Sequence, residues 1–572
     1  MDKRQIAHTL EAIADMMEIR GENPFKCNAH RNAARTLESL EVPLDEMIES
    51  GQLTQLKGIG HSLAEKIVEM AETDRSTAYE QLRTEIPEGV LEMLSISGFG
   101  PKKAKAVWEQ LGVKSIGELE YACIENRLVE LPGFGQKTQD KILKAIAYYK
   151  KQAGRFLCDA AWETGTVLLA RLRKHKKTIR AEIAGSLRRR KEIVGDIDLL
   201  ASSDSPDVAM NHFLKSDGIE EVLAHGPTKS SVRMEQGIQV DLRIVADKQF
   251  PFALAYFTGS KEHNTTLRGR AKKMGFKLNE YGLFPAKSNR SKACADETAI
   301  YGQLGLAYIE PELREDLGEI EAAEKGALPR LVAERDIRGL IHVHSQWSDG
   351  ALSIEQMGRA AKKRGYEYIA VCDHSQSAAY AHGLSPQRVR EQQSEIDRLN
   401  KTGLGVRILK GIEVDILADG SLDYDNKVLA TFDLVIASIH SRFNLPREQQ
   451  TKRLTRALAH PHVHMIGHPT GRLLLSREGY DVDLDALIEA AAKHGKIIEL
   501  NANPFRLDLD WRYCIRAARK GVRISINPDA HDETGIDDVR YGVGTARKGW
   551  YEKSGVANAG SVEEFLRMLN SG

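Results

Sequence analysis

Residues 338–572 alternate short apolar segments with amphipathic helices, and this alternation restricts the folds open to the chain more than any other feature. The seven apolar segments are GLIHVHS, YEYIAVCDH, VRILKGIEV, DLVIASIH, VHMIGHP, KIIELNAN and VRISINPDAH. Segments between them, such as SIEQMGRAAKKRG and DVDLDALIEAAAKHG, have helical periodicity. The alternation predicts parallel strands joined by crossover helices, and seven units predict a barrel with its active site at the carboxyl ends of the strands.

Side chains that can bind metals follow six of these segments. Histidine and carboxylate ligands without a thiolate suit Zn²⁺, Mn²⁺ or Fe²⁺. A single histidine is more often a packing or surface residue, but nine ligand-type residues at corresponding positions favour a metal centre. The nine are His342, His344, Asp349, His374, Glu413, His440, His468, Asp529 and His531. The sixth segment ends in Asn501 and Asn503 instead. Five other histidines are predicted to be structural: His382, His460, His462, His464 and His494.

The first 150 residues are predicted to be helical and contain a repeated glycine turn. Its three copies are LKGIGHSLAEKI (56–67), ISGFGPKKAKAV (96–107) and LPGFGQKTQDKI (131–142). Glycine permits a tight turn and a close backbone approach, and the N–H groups that open the next helix are free to bind a phosphate. One copy alone favours a packing corner, but three copies followed by lysines favour phosphate binding. The candidate residues are Gly58, Gly60, Lys66, Gly98, Gly100, Lys102, Gly133, Gly135 and Lys137.

The segment GDIDLL (195–200) places two aspartates where apolar residues would be expected. Because a strand alternates its faces, Asp196 and Asp198 point to the same side. Asp241 lies in a second apolar segment, IQVDLRIV. Three carboxylates brought together would hold two hard divalent cations, with Mg²⁺ as the first candidate because it binds through one or two carboxylates and substrate phosphates. The alternative is that Asp196 and Asp198 line a solvated sheet edge.

The glycine turns resemble helix-hairpin-helix motifs, which implies binding of the nucleic-acid backbone without reading of sequence. Gly185-Ser186, the arginines that follow, GDID and the later Asp241 resemble the nucleotidyltransferase signature of family X DNA polymerases, the DNA polymerase beta type. The segment YFTGSKEHNTTLRGRAKKMGFKLNEYGLF (256–284) resembles the joint between palm and thumb in that family. The resemblance implies nucleotidyl transfer with Mg²⁺ or Mn²⁺ held by Asp196, Asp198 and Asp241.

The same resemblance implies a nucleotide-binding site. Its residues would be Gly185, Ser186, Arg188, Arg189, Tyr256, Phe257, Gly259, Asn264 and Arg268. Ser186 and Arg189 match triphosphate-binding positions and Arg268 matches an arginine on the template side. Many family members have an aspartate where this chain has Lys261, so the resemblance does not extend to base contacts made through that position. Lys66 matches a lysine that forms a Schiff base in the family's lyase domain; the alternative is a helix-surface lysine that binds phosphate.

The nine barrel residues resemble the ligand pattern of the PHP (polymerase and histidinol phosphatase) superfamily. That resemblance implies up to three divalent ions, Zn²⁺, Mn²⁺ or Fe, in three ligand groups: His342, His344, Glu413 and Asp529; Asp349, His374 and His531; and His440 and His468 with Glu413 bridging. The implied reaction is phosphoester hydrolysis. Joined to a polymerase, it would act on the DNA 3′ end as a 3′→5′ exonuclease, with cleavage at abasic sites as a further activity.

Composition restricts the partners and the compartment. The formal net charge is +0 and the mean hydropathy is −0.38, so nucleic-acid binding must come from local patches. No apolar run approaches the roughly 20 residues of a membrane span, and the first residues lack the apolar segment of a signal peptide. The six cysteines are scattered without a C-x-x-C pair, which favours a reducing cytoplasm. A monomer is the default expectation.

The sequence therefore predicts a multidomain protein: all-α helix-hairpin-helix domains, an α+β nucleotidyltransferase palm with a thumb, and an α/β seven-stranded, distorted TIM-like PHP barrel. The predicted divisions are a lyase-like domain at 1–85, DNA-binding fingers at 86–152, the palm at 153–250, the thumb at 251–315, a linker at 316–337 and the barrel at 338–572. The predicted function is DNA-directed DNA synthesis that fills short gaps during repair, with gapped or primer-template DNA and dNTPs as substrates and a nuclease attached.

Three alternatives stay open. An inactive polymerase-like module could deliver a PHP phosphoesterase to DNA, or the whole chain could be a non-catalytic scaffold that binds DNA ends. A barrel that only stabilises an active polymerase is the third.

Overall fold

The computed structural model describes residues 1, 3–38, 40, 44–56, 58–96, 98–151 and 154–570. These residues form two compact units, Met1–Tyr149 and Lys150–Gly572. Lys57 and Ser97, which belong to the first two glycine repeats, lie outside the described residues. Within the described part of the chain, every helix is too short or too polar to cross a membrane.

The described residues of the first unit form helices and turns, as predicted. The first helix belongs to two apolar cores, because Ile6 and Leu10 pack in one core while Ile13 and Met17 pack in the other. This spacing is that of an amphipathic helix, and its apolar side is buried along both halves of the helix. The helices are α1 (Lys3–Arg20), α2 (Pro24–Glu38), α3 (Leu44–Glu49), α4 (His61–Thr73), α5 (Thr77–Glu85), α6 (Glu88–Glu92), α7 (Pro101–Leu111), α8 (Ile116–Ile124) and α9 (Gln136–Lys151).

The second unit begins with a five-stranded sheet and its helices. The elements are β1 (Phe156–Leu157), α10 (Cys158–Lys174), β2 (Arg180–Ile183), α11 (Gly185–Arg188), β3 (Ile193–Val194), β4 (Asp196–Ser202), α12 (Pro206–Phe213), β5 (Ile219–His225), β6 (Lys229–Met234) and β7 (Gln239–Val245). The strand order is β2-β4-β7-β6-β5, with β4 and β7 parallel and the other pairs antiparallel, while β1 pairs with β3. Ile197 and Leu199 are buried in the core with Leu168 of α10. Asp196 and Asp198 alternate with them, so both aspartates lie on the other face of β4.

A smaller cluster follows the sheet. It contains α13 (Phe250–Thr258), α14 (Lys261–Lys273), β8 (Phe276–Asn279), β9 (Gly282–Pro285), α15 (Glu297–Gln303) and α16 (Glu319–Glu324). The segment predicted as a linker, 316–337, is packed against this cluster: Ile320 lies in the same core as Leu267. The buried Glu319 carboxylate also lies 2.6 Å from His263 Nδ1.

The remaining residues form a parallel seven-stranded sheet whose strands lie side by side in chain order. The strands are β10 (Gly339–Val343), β11 (Tyr368–Val371), β12 (Arg407–Asp415), β13 (Leu434–Ser438), β14 (Met465–Ile466), β15 (Ile497–Asn501) and β16 (Ile524–Asn527). The helices are α17 (Ile354–Lys363), α18 (Pro386–Lys401), α19 (Asn426–Leu429), α20 (Arg447–Leu458), α21 (Leu484–His494), α22 (Trp511–Arg519), α23 (Val539–Lys548) and α24 (Val562–Leu569). The alternation read from the sequence is therefore confirmed.

The sheet closes into a barrel at the seam between β10 and β16. Val343 bridges to Ala530 beyond the end of β16, and the His344 N–H donates to the Ala530 carbonyl at 2.9 Å. The buried Asn558 side-chain amide donates to the carbonyls of Gly339 (2.9 Å) and Ile526 (2.8 Å), one on each side of the seam. Helix α24 packs into the barrel interior through Phe565 and Leu569. The amino end of the barrel is thus filled, and the carboxyl end is left for a site.

Candidate functional sites

The carboxyl end of the barrel gathers the residues predicted as metal ligands. Three groups have ligand atoms within 4.8 Å of one another: His344, Asp349, His374 and His531; His342, His344 and Asp529; and His374, Glu413 and His440. These differ from the predicted grouping because His344 and His374 each belong to two clusters. His468 Nε2 lies 2.9 Å from Glu413 Oε1 and joins the same centre.

Glu413 lies at the middle of this centre. His342 Nε2 and His440 Nε2 lie 3.4 and 3.3 Å from its Oε1, and His374 Nδ1 lies 3.0 Å from its Oε2. Both Glu413 oxygens and His342 Nε2 are buried without a hydrogen-bond partner among the described residues. Two ligands with bonds of about 2.0–2.1 Å on one tetrahedral ion would stand about 3.4 Å apart. The donor set and its spacing therefore fit divalent cations shared between imidazoles and carboxylates.

The imidazoles and carboxylates of this centre compensate each other. Burial alone would lower the pKa of His342, but the carboxylates of Glu499 and Glu413 outweigh it and raise that pKa well above its usual value. Burial likewise opposes ionisation of Glu413, but the neighbouring histidines, His440 first, hold its pKa well below the usual range. The carboxylates are therefore ionised and ready to bind a cation.

A second layer of acids supports the ligands, and sequence reasoning missed it. Glu499 Oε1 lies 2.5 Å from His342 Nδ1, and Asp415 pairs in the same way with His440 Nδ1. A carboxylate on one imidazole nitrogen fixes the ring so that the other nitrogen faces the metal. Glu499 stands two residues before Asn501, the last residue of β15, whereas the sequence pattern pointed only to Asn501 and Asn503. The pattern E-V-D at 413–415 puts Asp415 on the same face as Glu413 and was a usable signal for that residue.

The histidines predicted to be structural lie outside the three ligand groups. His464 Nδ1 accepts a hydrogen bond from the Val435 N–H at 3.0 Å, and His460 Nε2 lies 3.0 Å from the Asn426 side chain. Both contacts are at the amino side of β13 and β14, away from the ligand cluster.

The second acidic centre lies on the five-stranded sheet. Asp198 on β4 is the direct register partner of Asp241 on β7, and Asp196 precedes Asp198 on the same face. Parallel neighbours stand about 4.8 Å apart, so the carboxylates share one small volume. Burial, together with the charges of Asp196 and Asp241, raises the pKa of Asp198 to about 6. Acids that repel each other in this way fit a site that takes up cations.

Asp241 is held by two of its neighbours. Lys229 Nζ lies 2.6 Å from Asp241 Oδ2, and Gln239 Nε2 donates to Oδ1 at 2.8 Å. Burial opposes ionisation, but the hydrogen bonds from Lys229 and Gln239 lower the pKa of Asp241. Neither neighbour was predicted from the sequence.

Gly185 stands directly against this centre. It has a φ of +64°, and a Cβ at this position would lie 2.1 Å from Asp198 Oδ2. Only glycine combines that conformation with that clearance. The turn that begins with Gly185 therefore approaches the carboxylates closely.

The predicted nucleotide residues surround the same corner of the sheet. Ser186 lies in α11, and Arg189 Nη1 donates to the Thr258 carbonyl. Gly259 has a φ of +71°, and a Cβ there would stand 3.0 Å from Arg189 Nη1. Arg188 is engaged elsewhere: it donates to both oxygens of Glu297 (3.0 and 2.6 Å) and to the Thr258 hydroxyl.

The other predicted residues of the joint between palm and thumb lie on α13 and α14. Asn264 Nδ2 donates to the Tyr256 carbonyl at 2.7 Å, and the rings of Tyr256 and Phe257 meet edge to face. Arg268 Nε donates to the Asn264 carbonyl at 3.2 Å. These contacts fix the end of α13 relative to α14, next to the turn at Gly259.

The three glycine turns of the first unit have one local structure. Gly58, Gly98 and Gly133 have φ values of +89°, +77° and +86°, so each turn needs glycine at its first position. Gly60 and Gly100 are the N-caps of α4 and α7 and make no side-chain capping bond, and a Cβ on either would meet nothing within 4 Å. The space beside both N-caps is therefore open, which leaves room for a phosphate at the start of each helix.

The apolar residues inside the turns, Ile59, Phe99 and Phe134, are buried and anchor each turn. Gly135 precedes α9 in the same way, and Lys102 and Lys137 are exposed beside the second and third turns.

Lys66 differs from these exposed lysines. Its Nζ lies 3.0 Å from Nε2 of the buried His30, whose Nδ1 lies 2.9 Å from the Lys26 carbonyl. A carbonyl can only accept, so His30 Nδ1 carries the proton and Nε2 accepts from Lys66. Burial lowers the pKa of Lys66 and also that of His30.

Comparison with known proteins identifies the parts of the chain. The family model described as DNA polymerase beta thumb matches residues 253–315, and that of the PHP domain matches residues 341–503. A helix-hairpin-helix domain matches residues 1–76, and a SAM-like helix-hairpin-helix tandem matches residues 90–147. With the near-closed seven-stranded barrel, these matches confirm the predicted fold class.

Relatives cover the chain in full and in part. The DNA polymerase/3'-5' exonuclease PolX of Bacillus subtilis is 42% identical over 572 residues, which is 99% of this chain and 100% of that protein. A probable phosphatase of Thermoanaerobacter sp. is 29% identical over 40% of this chain and 93% of its own length. DNA polymerase lambda of Rattus norvegicus is 24% identical over 54% of this chain and 56% of its own length.

Proposed function

Because the chain belongs to the PolX family of DNA polymerase/3'-5' exonucleases, we propose that it fills short gaps from dNTPs and hydrolyses DNA at its barrel centre. The observation that carries this proposal is the pairing of two separate acidic centres on one chain, Asp198 beside Asp241 and the cluster around Glu413. The proposed substrates are gapped or primer-template DNA and dNTPs. The proposed enzyme is monomeric and cytoplasmic.

In the sheet centre, Asp196 and Asp198 would hold both divalent ions, Mg²⁺ or Mn²⁺, and Asp241 the ion nearer the primer end. Bound divalent ions supply Lewis-acid activation of a hydroxyl or water and neutralise phosphoryl charge, in this centre and in the barrel. Ser186 and Arg189 orient the triphosphate, and the glycine at 185 lets it approach Asp198. Positioning and charge neutralisation then carry the transfer.

In the barrel centre, the nine ligands would hold up to three ions, Zn²⁺, Mn²⁺ or Fe. Glu499 and Asp415 keep the unprotonated nitrogens of His342 and His440 directed at the ions. The proposed substrates are the DNA 3′ end, removed one nucleotide at a time, and the DNA strand at an abasic site. The spacing of the Glu413 contacts supports this assignment.

The test measures primer extension on a gapped duplex and degradation of a labelled 3′ end, with each centre changed separately. Asp198→Asn should reduce extension by about 10³-fold, since it removes a central carboxylate, and should leave degradation intact. His344→Ala should instead reduce degradation and leave extension intact. Asp204→Asn and Glu448→Gln, which change exposed carboxylates outside the two centres, are the matched controls.

The outcomes separate the alternatives. Extension that survives Asp198→Asn unchanged would contradict the polymerase assignment. Degradation that survives His344→Ala unchanged would leave the barrel as a stabilising domain. A wild-type protein that shows neither activity but still binds DNA ends would favour the non-catalytic scaffold.

A second activity is supported by the contact between Lys66 and His30. A Schiff-base lysine must be neutral when it attacks an aldehyde. Burial lowers the pKa of Lys66, and the neutral His30 imidazole 3.0 Å away accepts a hydrogen bond from Nζ without adding a negative charge that would hold the proton. We therefore propose that Lys66 attacks the sugar aldehyde of a 5′ abasic end. Borohydride reduction should trap a covalent protein–DNA complex with the wild-type chain and not with Lys66→Ala. Trapping that persists in Lys66→Ala would exclude this lysine.

A further inference from the structure

Helix α23 of the barrel carries a fully buried lysine that faces the polymerase half of the same unit. The Lys548 side chain has an exposed fraction of 0%. Its Nζ donates to the Arg189 carbonyl at 3.0 Å, to the Glu312 carbonyl at 3.4 Å and to Glu315 Oε1 at 2.5 Å. All three acceptors come before residue 316, so none belongs to the barrel. Burying an ammonium is costly unless it is fully paired, and here the pairing is with the polymerase half.

Glu315 links Lys548 to the side chain of Arg189. Its Oε1 also accepts from Arg189 Nε at 3.1 Å, and its Oε2 lies 3.2 Å from Lys191 Nζ. The Glu315 side chain is only 10% exposed, so water screens these pairs weakly. Lys548 therefore holds Arg189 at two points, the carbonyl directly and the guanidinium through Glu315.

The opposite side of the Arg189 guanidinium faces the proposed nucleotide site. Nη1 donates to the Thr258 carbonyl and stands against Gly259. The guanidinium thus connects the turn that starts at Gly185, which Arg189 ends, to the turn at Gly259. An arginine held from behind by an acid presents its remaining N–H groups in a fixed direction, which suits bidentate phosphate binding.

We propose that Lys548 is a positioning residue of the polymerase site, supplied by the nuclease barrel, and that it sets the affinity for the incoming nucleotide triphosphate through Arg189. The inference rests on the proposed function, in which Arg189 binds the triphosphate. Without Lys548, Arg189 would lose a backbone anchor and Glu315 would lose a partner. The triphosphate would then bind more weakly, while the carboxylates that carry the transfer would be unaffected.

The adjacent Arg547 provides the matched control. It is also an interface cation, with Nε 2.7 Å from Glu312 Oε1, but it makes no described contact with Arg189. If Lys548 merely joined the two halves, its substitution would affect dNTP binding no more than substitution of Arg547 does. If Lys548 positions Arg189, its substitution should weaken dNTP binding and that of Arg547 should not.

The experiment measures kcat and KM for dNTP in single-nucleotide gap filling by the full chain. Lys548→Met should raise KM for dNTP about tenfold, the effect of one charged hydrogen bond, with kcat within about twofold. Arg547→Gln should leave KM unchanged. Should Lys548→Met fail to fold, Glu315→Gln tests the same link from the polymerase side and should also raise KM. Degradation of a labelled 3′ end checks that the barrel is intact.

An unchanged KM in both Lys548→Met and Glu315→Gln, with a wild-type chain that fills gaps, would overturn the inference alone. An equal rise of KM in Arg547→Gln would also overturn it, since that is the signature of a general interface effect. A wild-type chain that incorporates no dNTP would instead overturn the proposed function, and the inference with it.

Discussion

At the carboxyl end of the barrel, Glu413 is surrounded by imidazoles, whereas on the five-stranded sheet Asp198 stands beside two further carboxylates, those of Asp196 and Asp241. The neighbours shift the pKa values of the two acids in opposite directions. The pKa of Glu413 is held well below its usual range, whereas that of Asp198 is raised to about 6. The barrel centre balances most of its charge within the chain. The sheet centre leaves its like charges to be balanced by cations from solution.

The topology explains the difference. The sheet centre draws its acids from two neighbouring parallel strands, so like charges stand side by side. The barrel centre draws its predicted ligands from the ends of six strands and its supporting acids from β12 and β15, so acids and imidazoles can alternate around it. The comparison predicts resident ions in the barrel and exchangeable ions on the sheet.

The largest expected effect comes from metal removal. Dialysis into metal-free buffer should reduce dNTP incorporation by about 10³-fold, since positioning and charge neutralisation on the sheet both need the ions. Degradation of a 3′ end should persist, because the barrel ions stay bound. Elemental analysis of the dialysed protein checks the retained ions, and equal loss of both activities would break the comparison.

A smaller effect is expected when the support of a barrel ligand is weakened. Glu499→Gln keeps the shape of the side chain but removes the charge beside His342 Nδ1, so metal affinity should fall about 10–100-fold. Competition with a fluorescent chelator measures this affinity directly. Glu489→Gln on α21 is the control, because that carboxylate is exposed and pairs with Lys520. Incorporation by Glu499→Gln should be unchanged.

The smallest effect concerns a buried acid that belongs to neither centre. Asp538, before α23, faces Asp159 of α10, with Asp532, Asp537 and Arg540 nearby; burial and then Asp159 raise its pKa to about 8. The folded protein keeps this proton up to about pH 8, while the unfolded chain releases it near 3.8, so stability falls as pH rises between those values.

Asp538→Asn should therefore raise the melting temperature by about 2 °C at pH 8 and leave it unchanged at pH 4. Scanning fluorimetry of both proteins across this range is the measurement. An equal rise in the melting temperature of Asp538→Asn at pH 4 and at pH 8 would show that the charge of Asp538 is not the cause.

Sequence reasoning found the groups that local rules fix. Asp196 and Asp198 follow from strand alternation, and the barrel ligands follow from the rule that parallel strands present their carboxyl ends together. Glu499 was missed because it lies inside a strand, where an isolated polar residue gives no distinct signal. The pairs His30–Lys66 and Glu315–Lys548 are separated by 36 and 233 positions, and no periodicity connects residues so far apart.

Helix α24 and Asn558 complete the barrel from the last residues of the chain. During synthesis, the helices and the sheet that precede them leave the ribosome earlier and can fold first. The proposed barrel centre must therefore wait for α24, and through Lys548 the proposed nucleotide site waits for part of the barrel as well. We expect ribosome-bound chains that end before residue 558 to show a protease-resistant amino-terminal unit and a protease-sensitive barrel, so that neither activity matures far ahead of the other.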